Sequence, residues 1–359
     1  MINATTYLLS PTETPGLVDA NGLTEESAKM VTEPLKENNE KYHIVFTIED
    51  HMGVYLHNHI AHHDLTPWAL GAKPSVLRSQ HERNTCYMRD AMIVVEPLVQ
   101  DLEDDAIFLL GACIDEDWGL TVAARYQEYL SEADALAAEK RESPLPLATL
   151  IDMERADPKI STVSSHEFHT QTRKHSERAT AELINTAVYI TAGAQLPPYQ
   201  CTFDFYLLHC LTASIGHVSF LREPSFTNEQ KSLLLGYSGR VFMMTYAGMG
   251  CPQLRLDYLC SHRSKLPNQG WGEVFDRACY HEDDGHMSKM IRLTKLSQDL
   301  SEQYDCLPEF RVKKHMFLIA GIAMIDSASE QPMTWTKHWD FVRGAGYPDA
   351  WTRFPKRDY

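Results

Sequence analysis

The sequence predicts an all-α fold: a single large, bundle-like helical domain preceded by a poorly ordered N-terminal arm. Several long segments place apolar residues at helical spacing, and strand-like alternation is scarce. The chain has no strand–helix–strand rhythm and no sequence repeat of the length found in solenoid proteins. Its 359 residues are enough for one large core. We expect residues 1–40 to form the extended or partly disordered arm and residues 41–359 to form the helical domain.

The elements follow in order along the chain. The arm is expected to become helical around Glu25–Asn38. The helical pattern resumes at His43, Pro67 should kink that helix or begin a second one, and Gly71 stands where a helix C-cap would be. Further on, the pattern predicts amphipathic helices at 89–112 and 119–140, a loop at 142–149, a solvated helix or long loop at 155–182, and apolar blocks at 183–195, 203–221, 232–250 and 316–327.

Charge and composition exclude several classes of partner. The net charge of −16 argues against nucleic acid or an anionic membrane surface as the main partner. No run approaches the roughly 18 consecutive apolar residues of a membrane span, and the N-terminus lacks the pattern of a signal peptide. The eight cysteines include no CxxC pair and are expected to be reduced thiols. We therefore expect a cytoplasmic protein, whose oligomeric state the sequence leaves open.

The histidines are grouped rather than spread, which indicates metal binding or proton transfer. The densest group is HNHIAHH at positions 57–63. His59 and His63 are four residues apart, and His59 and His62 are three apart, so either pair shares one face of a helix. The ordinary alternative is a helix start that carries hydrogen-bonded polar histidines. Four histidines so close together beside an apolar face favour a metal or acid–base site.

Two further groups add candidates. The segment CYHEDDGHMSKMIRL at 279–293 places His286 and Lys289 three residues apart on one helical face. At least two of the acids at 282–284 are expected to stabilise the start of that helix, and Lys289 would ordinarily be a surface lysine. His209 lies in the apolar stretch FDFYLLHCLTAS, as a hydrogen-bonded core residue or as a ligand. Asp204, five residues upstream, is placed to orient it.

Together these segments resemble the questin oxidase-like family, proteins of fungi and bacteria associated with oxidative opening of aromatic polyketides such as anthraquinones. The resemblance runs from about position 45 to the end of the chain. It implies a largely helical fold and an oxygen-dependent ring cleavage or a Baeyer–Villiger-like oxygen insertion. The matching segments, in shared order, are HNHIAHHDLTPWALGA, LIDMERADPKI, ELINTAVYITAGAQ, FDFYLLHCLTASI, HEDDGHMSKMIRL, IAMIDS and FVRGAGYPDAW.

The resemblance also implies a metal centre. One branch of the family is similar to a non-haem iron dioxygenase whose iron is held by histidines and a carboxylated lysine. Imidazoles suit Fe(II), an anionic oxygen donor offsets the metal charge, and burial lets a lysine become neutral and add carbon dioxide. Many family members carry a histidine-containing segment resembling HPLIHLGY, and this chain has no counterpart of it. If that segment supplies a ligand or a substrate wall, the site here is incomplete, and the protein would catalyse a different reaction on a related polyketide or bind no metal. The implied ligands here are His59, His62 or His63, His209 and His286, with Lys289 as the carbamate.

Three functional hypotheses follow. The first is an Fe(II)-dependent oxygenase that acts with O2, and with NADPH as an optional reductant, on a polycyclic aromatic polyketide. The second is a metal-free oxidase or cyclase in which His209 or His63 acts as general base, with Asp204 orienting His209. The third is a non-catalytic helical protein that binds a reactive intermediate without turnover. Metal content separates the first from the other two, and turnover separates the third from both enzymes.

Overall fold

The computed structural model describes residues 8–13, 16–18, 20–42, 45–47, 55–85, 146–156, 173–264, 266–328 and 341–359. Helices predominate in these ranges, which confirms the predicted all-α class, and the strands are only two or three residues long. The helices predicted at 89–112 and 119–140 lie outside the described residues, as does most of 155–182. No helix in the described part of the chain is long and apolar enough to cross a membrane.

The chain divides into two compact units. The first consists of Met1–Arg125 and Phe275–Lys289, and the second of Tyr126–Val274 and Met290–Tyr359. The predicted division into an arm and one helical domain stays a prediction.

The first unit is built on three helices: α1 (Glu25–Lys41), α2 (Ile60–Ala69) and α3 (Pro74–Thr85). Each of the three packs against the other two. Between α1 and α2, the strands β1 (Val45–Thr47) and β2 (Tyr55–His57) pair antiparallel. The HNHIAHH segment therefore begins at the end of β2 and continues into the start of α2.

The ends of these helices follow local sequence signals. Thr24 and Ser27 form a reciprocal capping box at the start of α1, where the sequence predicts a helix. Pro67 lies inside α2, and the next helix begins only at Pro74. Gly71 follows α2 with φ +86, and a Cβ there would lie 2.0 Å from a backbone oxygen of Asn21. Only glycine fits this close approach.

The second unit contains the apolar blocks that the sequence predicts. Its elements are α4 (Leu147–Ala156), α5 (Arg173–Gly193), β3 (Phe203–Asp204), α6 (Phe205–Ala213), α7 (Ile215–Arg222), α8 (Asn228–Gly248), α9 (Leu256–Cys260), α12 (Lys314–Asp326) and β4 (Phe341–Val342). The long helix α5 packs against α4, α6, α7, α8 and α9. Helices α10 (Trp271–Tyr280) and α11 (His286–Ser301) contribute residues to both units.

Two local predictions were wrong. The described residues that follow His43 first form β1 and β2 instead of a helix, and α2 begins only at Ile60. The loop expected at 142–149 ends earlier, because α4 begins at Leu147. The Leu147 amide donates a 2.9 Å hydrogen bond to Oε1 of Glu182, and Leu147 and Ala148 are fully buried. This cap comes from α5, far along the chain, so the local sequence does not reveal it.

Asp204 joins two distant segments of the second unit. Its Oδ1 accepts from the amides of Tyr206 and Leu207 at 2.8 and 3.1 Å, which caps α6. Its Oδ2 accepts from the amides of Gly344 and Ala345 at 2.8 and 2.9 Å, beside the parallel pair β3–β4. Burial raises the pKa of Asp204, and the four amide donors oppose that shift. The fully buried carboxylate therefore holds the segment FVRGAGYPDAW against the start of α6.

We expect Asp204→Asn to lower the free energy of unfolding by about 3 kcal/mol, because an amide NH2 cannot accept from two of the four buried amides. Denaturant unfolding measures the change. Asp257→Asn, at an exposed acid in the first turn of α9, is the matched control and should change stability little. Equal unfolding midpoints for Asp204→Asn and the wild type would refute this structural role.

Candidate metal centre

Three potential metal ligands come together in the first unit: His59, Asp284 and His286. One ligand atom from each residue lies within 4.8 Å of the other two. His59 immediately precedes α2, and His286 is the first residue of α11. Both histidines are 3% exposed and thus shielded from bulk water, whereas the Asp284 side chain is 18% exposed.

The Asp284 carboxylate bridges the two imidazoles. Oδ1 bonds Nδ1 of His286, and Oδ2 lies 3.3 Å from Nδ1 of His59. The two rings meet edge to face with their centroids 5.3 Å apart. Burial alone would raise the pKa of Asp284, but the two histidines hold it well below its ordinary value. The carboxylate is therefore ionised at neutral pH, and the cluster offers one anionic oxygen and two imidazoles.

The sequence Asp283-Asp284-Gly285-His286 builds this arrangement locally. The Asp283 carboxylate accepts from the amides of Gly285 and Met287, both at 2.7 Å, and so caps α11. Gly285 has φ +92, and a Cβ there would lie 3.1 Å from Cγ of His63. The glycine thus turns Asp284 back toward His286 and allows His63 to pack closely.

The acidic run was only partly predicted. Asp283 caps the helix as expected, whereas Glu282 forms a 2.9 Å ion pair with Arg83. Asp284 contacts the two histidines instead, and sequence reasoning missed it as a site residue. The signal was the D-G-H spacing, in which a glycine separates a carboxylate from a histidine at a helix start.

His63 lies beside this centre and is 1% exposed. The Asn84 side chain donates from Nδ2 to the carbonyl of Gln80 at 2.8 Å, which fixes its amide orientation. The same Nδ2 bonds Nδ1 of His63, so Nδ1 is the acceptor and the ring proton lies on Nε2. Burial lowers the pKa of His63, although Asp283 and the Asn84 bond oppose the shift. His63 is therefore a neutral hydrogen-bond donor.

Lys289 is buried, which makes the alternative of an ordinary surface lysine wrong. It lies one turn beyond His286 on α11 and is 7% exposed. Burial lowers its pKa, while the charges of Asp284 and Asp283 oppose this. Its ammonium group has no hydrogen bond to the described residues. This environment favours the neutral amine more than water does.

The other sequence candidates lie elsewhere. His62 is exposed on α2. His209 belongs to the second unit, where its Nδ1 hydrogen-bonds the carbonyl of Phe205 at 2.6 Å. Asp204 bonds four backbone amides, as described above. The structure thus brings His59 and His286 together as the sequence predicts, and the roles assigned to His62, His209 and Asp204 stay predictions.

Sequence comparison places this site in a family. The model of the family described as "Questin oxidase-like" matches residues 56–131 and 119–294, a region that includes all three clustered residues. The chain belongs to the questin oxidase-like family. The assignment confirms the resemblance inferred from the sequence segments.

Several fungal relatives have names that denote oxidoreductases. The chain is 26% identical to "Oxidoreductase AflY" of Aspergillus parasiticus, over 89% of this chain and 82% of that protein. It is 32% identical to a "Questin oxidase" of Aspergillus fumigatus, over 56% of this chain but only 44% of that protein. It is 29% identical to "Baeyer-Villiger oxidase mdpL" of Emericella nidulans, over 49% and 40% of the two chains. The names support an oxidoreductase.

Proposed function

We propose that this protein is an oxygen-dependent oxidase of secondary metabolism that cleaves an anthraquinone-like aromatic polyketide or inserts oxygen into it, using iron. The names of the family relatives support the reaction class. The observation that carries the iron assignment is the set of two imidazoles and one carboxylate at His59, His286 and Asp284. Two histidines and a carboxylate with open positions are the ligands of many non-haem Fe(II) oxygenases.

The donor chemistry fits Fe(II). Asp284 supplies an anionic oxygen, and the two imidazoles are ligands that Fe(II) accepts readily. Lys289 suits the proposed carbamate, because burial favours the neutral amine that adds carbon dioxide. A carbamate there would contribute a second anionic donor. When bound, the iron would supply the activation of O2.

His63 has a different proposed role from a general base. Its Nδ1 accepts from Asn84, so its proton lies on Nε2 and the ring donates a hydrogen bond. A donor at this position would stabilise negative charge on a phenolate substrate. Its neutral state, favoured by burial, adds no positive charge to the centre.

A second candidate function rests on His209. Its Nδ1 donates to the carbonyl of Phe205, so the neutral ring carries its lone pair on Nε2. This tautomer suits a general base that removes a phenolic proton without metal. A metal-free oxidase or cyclase would use this histidine in place of the His59–Asp284–His286 cluster.

Oxygen uptake in the presence of an anthraquinone distinguishes the two functions. We expect protein reconstituted anaerobically with Fe(II) to consume O2, with or without NADPH, and His286→Ala to lower the rate by at least about 100-fold. His315→Ala, at an exposed histidine of α12, is the matched control and should stay within about twofold of the wild type. Uptake that survives chelation and His286→Ala, but is lost in His209→Ala, would replace the iron mechanism with the general-base mechanism.

A further inference from the structure

Helix α3 carries two buried amide side chains that contact both segments of the candidate metal centre. Gln80 and Asn84 lie one turn apart on this helix, and both are buried. Residues four apart share one face of a helix, so one face of α3 makes both contacts. Gln80 contacts the chain that leads to Asp284 and His286, and Asn84 contacts α2.

Gln80 holds the chain at the end of α10. Its Nε2 donates to the carbonyl oxygens of Cys279 and His281, at 3.2 and 3.1 Å. Carbonyl oxygens only accept, so the two bonds fix the orientation of the amide. Cys279 lies in the last turn of α10, and His281 is three residues before Asp284. The two bonds therefore fix the bend between α10 and the segment that carries the acid.

Asn84 continues this hydrogen-bond network to α2. Its Nδ2 donates to the backbone carbonyl of Gln80 at 2.8 Å and also to Nδ1 of His63. The His63 amide donates to the carbonyl of His59 at 2.8 Å. An unbroken path of hydrogen bonds thus runs from the chain before Asp284, through α3, to His59. It joins the two segments that supply the ligands, which are about 220 residues apart in the sequence.

The orientation of the Gln80 amide lowers its contribution to stability. Its Oε1 is buried and has no hydrogen-bond partner in the described residues. A buried acceptor without a partner destabilises a fold, which offsets part of what the two donor bonds contribute. An apolar side chain of the same length would remove the two bonds and the unsatisfied oxygen together. We therefore expect such a change to affect the local position of the chain more than the overall stability.

We propose that Gln80 is a positioning residue of the metal centre proposed above. It holds the segment before Asp284 and His286 in place, and Asn84 links that segment to His59. The Gln80 side chain bonds backbone carbonyls and no ligand side chain, so it acts through the position of the chain. A metal site binds tightly when its ligands are held near their bound geometry in advance. Loss of the two bonds should loosen the segment and weaken metal binding without removing a ligand.

Gln80→Met tests this role, because methionine has nearly the same length and no donor. Anaerobic titration of the full-length apoprotein with Fe(II) should show about tenfold weaker binding, and the denaturant unfolding midpoint should stay close to that of the wild type. Amide hydrogen exchange of the metal-free protein should become about tenfold faster in peptides that cover 281–287 and stay unchanged in α8. Ser79→Ala, at an exposed serine of α3, is the matched control and should change none of these measurements by more than about twofold.

Hydrogen exchange separates this role from the proposed function. A wild type that binds no iron would refute the metal centre, whereas unchanged exchange at 281–287 in folded Gln80→Met would overturn the role of Gln80. Equal acceleration in α8 would also overturn it, because the effect would then be a general loss of stability. Gln80→Glu is the second variant: it keeps the shape but turns an oxygen toward the two carbonyls, and it should also speed exchange at 281–287. Failure of both variants to fold would make Gln80 a core residue and reject the positioning role.

Discussion

Asp284→Ala is expected to weaken Fe(II) binding by well over about 100-fold, because loss of an outer hydrogen-bond partner already costs 10- to 100-fold in metal affinity. Asp284 is the only carboxylate of the described cluster and contacts both of its histidines. Its removal leaves two imidazoles without an anionic donor. Asp284→Asn keeps the shape but not the charge and should lose most of the same affinity. Titration of the apoprotein with Fe(II) under anaerobic conditions measures the change.

Glu282→Gln is the matched control for this experiment. Glu282 belongs to the same acidic run but pairs with Arg83 at 2.9 Å and lies outside the cluster. An exposed pair of this kind contributes little, so iron affinity and stability should stay close to those of the wild type. Equal losses of iron affinity in Glu282→Gln and Asp284→Asn would mean that the total negative charge of the acidic run attracts the metal, and that Asp284 is not a defined ligand. Unfolding curves of the apoproteins of the wild type, Asp284→Asn and Glu282→Gln test whether either substitution causes a general loss of structure.

Glu154→Gln should raise the free energy of unfolding by about 3 kcal/mol at pH 7. Glu154 lies on the buried face of α4 with 0% exposure, and both carboxylate oxygens have no hydrogen-bond partner in the described structure. Burial raises its pKa from 4.5 to about 8. In the unfolded chain the carboxyl ionises freely above about pH 4.5, so holding it protonated in the fold costs stability. Glutamine has nearly the same shape and does not ionise.

The pH dependence identifies the cause of this effect. The wild type should lose stability relative to Glu154→Gln as pH rises from about 4.5 to 8, and the difference should level off above the folded pKa. Denaturant unfolding at pH 4.5, 7 and 9 follows it. Glu229→Gln, at an exposed glutamate in the first turn of α8, is the control and should shift stability by only a few tenths of a kcal/mol. A constant difference across this pH range would show that ionisation of Glu154 is not responsible.

Local patterns in the sequence predicted the helices well. The start of α1 at Glu25 and the apolar helices α6, α8 and α12 follow from capping residues and helical spacing. The predicted start of α4 was wrong because a carboxylate on α5 caps this helix. Patterns in a single sequence reflect only residues that are close in the chain, whereas a cap of this kind depends on packing between distant segments.

The sequence predicted only part of the candidate site, because the rest of it also depends on packing between distant segments. Spacing singled out His59 and His286 each within its own segment, and the family resemblance implied that they share a metal; the structure places their rings 5.3 Å apart. Asp284 was not singled out, because the sequence predicted only that at least two of the three acids at 282–284 stabilise the start of the helix. The positive φ of Gly285 turns the Asp284 carboxylate toward the histidines. Backbone geometry of this kind is not evident from residue type alone. The burial of Lys289 likewise depends on tertiary packing.

X-ray absorption at the iron edge tests the central claim most directly. Wild-type protein reconstituted with one equivalent of Fe(II) should bind it and show a shell of nitrogen and oxygen donors that includes histidine ligands. The His59→Ala/His286→Ala double variant should bind little iron and lose the imidazole signal. A wild type that retains no iron, or a double variant with an unchanged spectrum, would contradict the metal centre at His59, Asp284 and His286.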